Sequence, residues 1–217
     1  MKRHIVCFGD SNTHGQCADP ADTADGGVRF NEEERWTCVL QELLGKDYLV
    51  IEEGLNGRTT VFEDPTCEGR NGLNSIFSCL VSHKPVDLLI IMLGTNDVKG
   101  RFCANAPCVG QTMERLIQKA KSIPAWAGEK PNILLMAPPH ILEGVTQGTY
   151  GDAFGPETVE KSRQLASVYA QVAQRQGCAF LDTQGIGQFN TIDCIHLTRQ
   201  GHRNLAEHLA QLVPELL

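Results

Sequence analysis

The amino-acid sequence predicts an α/β fold, a doubly wound parallel sheet with helices on both faces. Three observations carry this reading. Five short apolar runs recur along 217 residues, helical patterns separate them, and two of the runs are apolar almost throughout. Nearly continuous apolar runs are expected where both faces of a parallel sheet are covered. Strand–helix repetition of this kind builds such a sheet.

Each element follows in order. "HIVCF" (4–8) reads as strand one and "YLVIEE" (48–53) as strand two. "DLLIIML" (87–93), "NILLMAP" (132–138) and "CAFLD" (178–182) supply three more. The helix predicted over 33–45 places Trp36, Val39, Leu40, Leu43 and Leu44 at helical spacing and stops at Gly45. Further helices are predicted over 71–83, 112–123 and 156–177, the last opened by Pro156 and closed by Gly177. The final one, 198–213, has Thr198 as its N-cap. Residues 18–35 and 138–156 read as long loops, and loops of that length are uncommon unless functional, so both are expected to border a substrate pocket. No internal repeat or linker interrupts the pattern, which predicts a single domain over residues 1–217.

Composition narrows the partners. With 41% hydrophobic and 21% charged residues the chain is an ordinary globular one. A net charge of −7 with no basic cluster argues against nucleic acid. The longest clean apolar run, "LLIIML" (88–93), is far too short to span a bilayer. No signal peptide is visible, so the expected location is cytoplasmic. The nine cysteines are irregularly spaced without a C-x-x-C pair, which predicts reduced thiols rather than a zinc ribbon. A Cys103–Cys108 disulfide is the minority alternative. No metal site and no cofactor are expected.

Ligands of a doubly wound sheet bind outside the carboxyl ends of its strands. Four polar stretches fall there: Gly9-Asp10-Ser11, "GLNGRTT" (54–60), "GTND" (94–97) and "DCIH" (193–196). A serine becomes a nucleophile when a base takes its proton and a third group orients that base. Ser11, His196 and Asp193 are the candidates. Charge developing on an attacked carbonyl oxygen needs fixed donors, for which the Ser11 and Gly57 backbone N–H groups and the Asn96 amide are candidates. A rival reading is a flavodoxin-like phosphate or flavin binder, in which "SNTHG" would wrap a phosphate at a helix N-terminus. That reading leaves Asn96 and the Asp193–His196 pair without a purpose.

Taken in order along the chain, Gly9-Asp10-Ser11, Gly57, Gly94-x-Asn96-Asp97 and Asp193-x-x-His196 resemble the four blocks of the SGNH (GDSL) hydrolase family. The resemblance implies a three-layer α/β/α fold with a five-stranded parallel sheet. It also implies Ser11 as nucleophile, His196 as base, Asp193 as its orienter, and Ser11, Gly57 and Asn96 as the oxyanion hole. "VIEEGLNGRTT", "DPT", "SCLVSHKPVDLLIIMLGTNDVK" and the Arg35-Trp36 pair are similar to the arylesterase/acyltransferase branch. That branch places aromatic residues after the nucleophile where this chain has His14 and Gln16, which counts against efficient acyl transfer. The activity implied is hydrolysis of short-chain acyl esters through an acyl-enzyme. Carbohydrate O-acetylesterase and thioesterase or lysophospholipase are the alternatives.

His14, Arg58 and Ile195 are the candidate substrate contacts. Asp10 and Asp97 read as braces of their turns, and Arg58 equally as a structural salt bridge. His4, His83 and His140 have no carboxylate at ligand spacing and read as structural, while His202 and His208 read as packing or solvent-facing. The resemblance further implies a homo-oligomer, a dimer or larger, with Tyr150 and Phe154 in the 138–156 loop offering apolar surface to a partner copy.

Overall fold

Strand β1 (Arg3–Gly9) runs through the middle of the molecule, because Ile5 to Phe8 are apolar on both faces and all are buried. The computed structural model describes residues 1–217. Strand β2 (Tyr48–Gly54) pairs with β1 on one side, and β3 (Leu88–Met92) on the other. Strands β4 (Ile133–Ala137) and β5 (Ala179–Asp182) follow, giving an all-parallel sheet in the order β2-β1-β3-β4-β5. Burial explains the composition of each strand. The central β3 and β4 are buried at every residue and almost wholly aliphatic, whereas β2 at the edge is mostly half-buried and carries Glu52 and Glu53.

Helices cover both faces. They are α1 (Ser11–His14), α2 (Trp36–Leu44), α3 (Gly72–Ser82), α4 (Ala106–Lys121), α5 (Thr158–Gln176) and α6 (Arg199–Leu216). The four-residue α1 lies where the sequence predicts only a turn. It exists because the Asp10 carboxylate caps the Asn12 N–H and Gly15 closes it in a left-handed conformation. Helix α4 starts at Ala106 rather than at 112, because Asn105 caps it by accepting from the Cys108 N–H at 2.9 Å. All nine cysteines are free thiols. No helix is long and apolar enough to cross a membrane.

The strand order fixes where a ligand belongs. Connections leaving β1 and β3 depart to opposite sides of the sheet, which opens a crevice at their carboxyl ends. Gly9-Asp10-Ser11 ends β1 and Gly94-Thr95-Asn96-Asp97 follows β3, so both stretches meet at that crevice.

Candidate active site

Ser11 opens α1 directly after β1, in a turn that the Asp10 cap holds. His196 lies in the segment preceding α6 and brings Nε2 to 2.8 Å from Ser11 Oγ. Its Nδ1 lies 2.6 Å from Asp193 Oδ2. An ionised carboxylate only accepts, so Nδ1 carries the ring proton, and Nε2 is left to accept from the Ser11 hydroxyl. Burial pushes the Asp193 carboxyl up, but bonds from His196, the Ile195 N–H and Asn190 outweigh it and hold the group below the usual carboxylate range.

The donors sit opposite. Neither the Ser11 N–H nor the Gly57 N–H finds an acceptor within the protein, and both residues line the same cavity. Buried or lining N–H groups without partners are rare, and two beside one nucleophile form a place for an oxyanion. Gly57 holds φ +79°, a left-handed conformation that a side chain would strain. The Asn96 amide joins them, with Nδ2 donating to the Arg58 carbonyl at 3.1 Å and lying 3.5 Å from Asp10 Oδ2. A hydroxyl, a base with an oriented ring and three donors around a cavity of about 260 Å³ can carry out acyl transfer.

The profile of the GDSL-like lipase/acylhydrolase family matches residues 7–203, a span that holds Ser11, Gly57, Asn96, Asp193 and His196. The chain belongs to this family. No curated protein matches it. Among solved structures, it is similar to the native aryl esterase of M. smegmatis, at 35% identity and TM-score 0.89, with 99% of this chain and 100% of that one covered. It is also similar to Est24, a carbohydrate acetylesterase from Sinorhizobium meliloti, at 32% identity, TM-score 0.87 and complete coverage of both. A lipolytic G-D-S-L family member from Veillonella parvula shares the fold at 16% identity and TM-score 0.67, with 98% of each chain covered.

In this GDSL-like hydrolase the candidate contacts separate. Ile195 lines the cavity, whereas His14 and Arg58 do not. His14 ends α1 facing the Arg29 side, where its carbonyl accepts from Arg29 Nε at 2.7 Å. Arg58 is buried beneath the floor. Its guanidinium donates to the Gly9 and Glu53 carbonyls and lies 4.1 Å from the Phe8 ring centroid, with no carboxylate partner. Arg58 therefore reaches the site through its carbonyl on Asn96, not through its side chain. Asp97 likewise faces inward, accepting from the Thr60 N–H at 2.9 Å and so tying the loop after β3 to the loop after β2. Burial raises the Asp10 and Asp97 carboxyls to about 6.

The walls correct two further expectations. Loop 18–35 does not line the cavity; it packs on the start of α6 through Glu34–Arg199 at 2.9 Å and Asp22 accepting from the Arg199 N–H. Loop 138–156 does line it, with Tyr150, Ala153 and Phe154. Phe154 is only 3% exposed, so it faces the cavity and offers no outer apolar surface. Tyr150 packs edge-on against the His196 ring at 5.7 Å. Much of the remaining wall comes from Asp64, Thr66, Cys67 and Arg70 after β2 and from Lys99 with Arg101 after β3, none of which the sequence singles out as a substrate contact.

Two positioning residues also escape a motif search. Asn12 donates Nδ2 to the Ile195 carbonyl at 3.0 Å, and its Oδ1 accepts from the Leu197 N–H at 2.9 Å. Asn190 donates to Asp193 Oδ1 and to the His196 carbonyl. Glu53, Cys79 and His83 bring ligand-type atoms within 4.8 Å of one another, a cluster invisible in sequence because β2 and α3 supply its members. It lies outside the cavity, and His83 Nε2 is 2.7 Å from Glu53 Oε1 as an ordinary pair.

Proposed function

We propose that this chain, a single SGNH-hydrolase domain over residues 1–217, is a serine esterase acting on short-chain acyl esters of small molecules. Ser11 attacks the ester carbonyl while His196 Nε2 takes its proton. The oxyanion is received by the Ser11 and Gly57 N–H groups and the Asn96 amide. His196 then returns the proton to the departing alcohol, and water releases the acyl group from Ser11 by the same steps in reverse. Asp193 keeps the ring in the working tautomer and stabilises the imidazolium. The observation that supports this most directly is the continuous contact from Ser11 Oγ through His196 to Asp193, at 2.8 and 2.6 Å.

The cavity of about 260 Å³ lies below the usual range of drug-sized pockets and favours an acetyl or similarly short acyl group over a lipid chain. Only five of its seventeen lining residues are hydrophobic. Gln16, Asn56, Thr66 and Thr95 among the rest favour a hydroxylated alcohol part, which makes carbohydrate O-acetyl hydrolysis the second reading and hydrolysis stronger than acyl transfer. A panel of p-nitrophenyl esters from acetate to decanoate, run beside acetylated sugars, tests both. Acetate and the sugars are expected to lead, and a maximum at decanoate contradicts the short-chain assignment. We also propose a homo-oligomer of two or more copies, supported by exposed Val28, Phe77, Tyr150 and Ile192.

A further inference from the structure

The cavity wall carries a charge imbalance that ester hydrolysis by itself does not require. Arg70, Lys99 and Arg101 line it against one carboxylate, Asp64, in a chain whose net charge is −7. Asp64 is already engaged, by Arg101 at 2.9 Å and by the Thr66 N–H and hydroxyl at 2.9 and 2.7 Å. Lys99 is half-buried, and its ammonium makes no hydrogen bond and has no carboxylate within 4.0 Å. Its one aromatic neighbour is Phe154, whose ring centroid is 5.7 Å from Nζ, at the outer limit of a cation–π contact. Arg70 donates only to the Asn56 carbonyl and to Cys67 Sγ. Arg70, Lys99 and Arg101 thus share the single charge of Asp64, which Arg101 contacts directly, and two cations are left in surplus on one small cavity.

Taking charge from water without a counterion is costly, and proteins pair such groups unless a ligand does so. The remaining acid nearby, Asp10, lies below the floor, where burial raises its carboxyl to about 6 and its pull on Lys99 is minor beside the desolvation that lowers the ammonium. Arginine and lysine on a cavity wall receive carboxylate, sulfate or phosphate oxygens, arginine as a fork and lysine as a point charge.

We propose that the ester substrate carries an anionic group, a carboxylate, sulfate or phosphate, bound by Lys99 and Arg70 inside the Ser11 cavity. This rests on the esterase reading and names the substrate class for it. The surplus positive charge also raises the local concentration of anionic esters around an otherwise acidic protein.

Two matched pairs of esters test it. 4-Acetoxybenzoate against its methyl ester places the anion on the alcohol side. The p-nitrophenyl monoester of succinic acid against p-nitrophenyl butyrate places it on the acyl side. In at least one pair the anionic member is expected to lead in kcat/KM by about tenfold or more, the scale of one charged hydrogen bond. Lys99→Met is expected to remove most of that preference and Lys99→Arg to keep it. Equal kcat/KM within both pairs, or a preference that survives Lys99→Met, overturns the proposal while leaving the esterase intact. If Lys99→Met fails to fold, benzoate and benzamide as inhibitors of wild-type p-nitrophenyl acetate hydrolysis decide it: benzoate should inhibit at least about tenfold more strongly, and equal inhibition overturns the proposal. Absence of turnover with all four esters sinks the esterase reading instead. Calorimetric titration with benzoate then settles the anion site, heat of binding supporting it and none overturning it.

Discussion

Asn12 uses both ends of its amide on the segment that carries the base, donating to the Ile195 carbonyl and accepting from the Leu197 N–H on either side of His196. Replacing it with alanine leaves two buried backbone groups unpaired and frees His196 to drift from Ser11. A misplacement of about 1 Å costs on the order of 10²-fold in rate, so Asn12→Ala should lower kcat by about 10- to 100-fold with a smaller change in KM. A variant that loses only thermal stability would show Asn12 to be a packing residue. Asn96 makes a different prediction, because the role proposed for its amide is to donate to developing charge. Asn96→Ala should cost about 10²–10³ in kcat with KM nearly unchanged, and Asn96→Asp at least as much, since it sets a carboxylate beside the oxyanion. A near-native kcat with a lowered Tm would remove Asn96 from the machinery. Ser11, Asn96, Asp193 and His196 are legible in sequence because the residue types the proposed catalysis needs fall in polar stretches that follow the strands. Asn12 is not, because an asparagine beside a serine is ordinary turn chemistry until its partners 183 and 185 residues away are known.

At the level of elements, α6 locks onto α2 through a buried histidine. His202 Nδ1 accepts from the Trp36 N–H at 3.2 Å, and Phe30 packs edge-on against the ring at 4.8 Å. Trp36 in turn donates Nε1 to the Asn12 carbonyl at 3.0 Å, while Arg35 grips Glu52 of β2 with two bonds, so α2 is pinned to the nucleophile turn. Burial pushes the His202 imidazole down to about 3, well below the ordinary histidine value of about 6.5. The folded protein thus binds fewer protons than the unfolded chain between about pH 3 and 6.5, and stability should fall as pH drops through that window. Asp10 and Asp97 act in the opposite sense between 3.8 and about 6, since their raised values favour the folded state on acidification. His202→Asn retains an acceptor near Nδ1 without titrating and leaves those two carboxyls alone. Its Tm should therefore fall less between pH 7 and pH 5 than that of the wild type; identical slopes would rule out His202 as the sensitive group. Helical spacing alone puts His202 on α6 but not against Trp36, whose contact depends on tertiary packing of two distant segments.

For the whole molecule, the strand order brings the ends of β1 and β3 to one crevice, and this explains why polar stretches scattered from Gly9 to His196 converge. Periodicity and apolar runs reveal the five strands, because coverage on both faces leaves little freedom in composition. The cavity wall is less legible. Nothing in the linear sequence marks Lys99 and Arg70 as wall residues, and Phe154, expected to offer outer apolar surface, is turned inward by its folded loop. The inward turn of Phe154 reduces the apolar surface available to a partner copy, so the proposed association rests on Tyr150 and the other exposed apolar groups. Light scattering at micromolar concentration should give a multiple of 23.8 kDa, and a mass of one chain would contradict the oligomer.

The central claim is that Ser11 is the nucleophile that His196 activates. A fluorophosphonate probe followed by peptide mass spectrometry tests it most directly, run on the wild type and on Ser11→Ala with circular dichroism to verify folding. The wild type should carry one adduct, on Ser11, and the folded variant should carry none and hydrolyse no ester. An adduct on another serine, or turnover retained by Ser11→Ala, would contradict the mechanism.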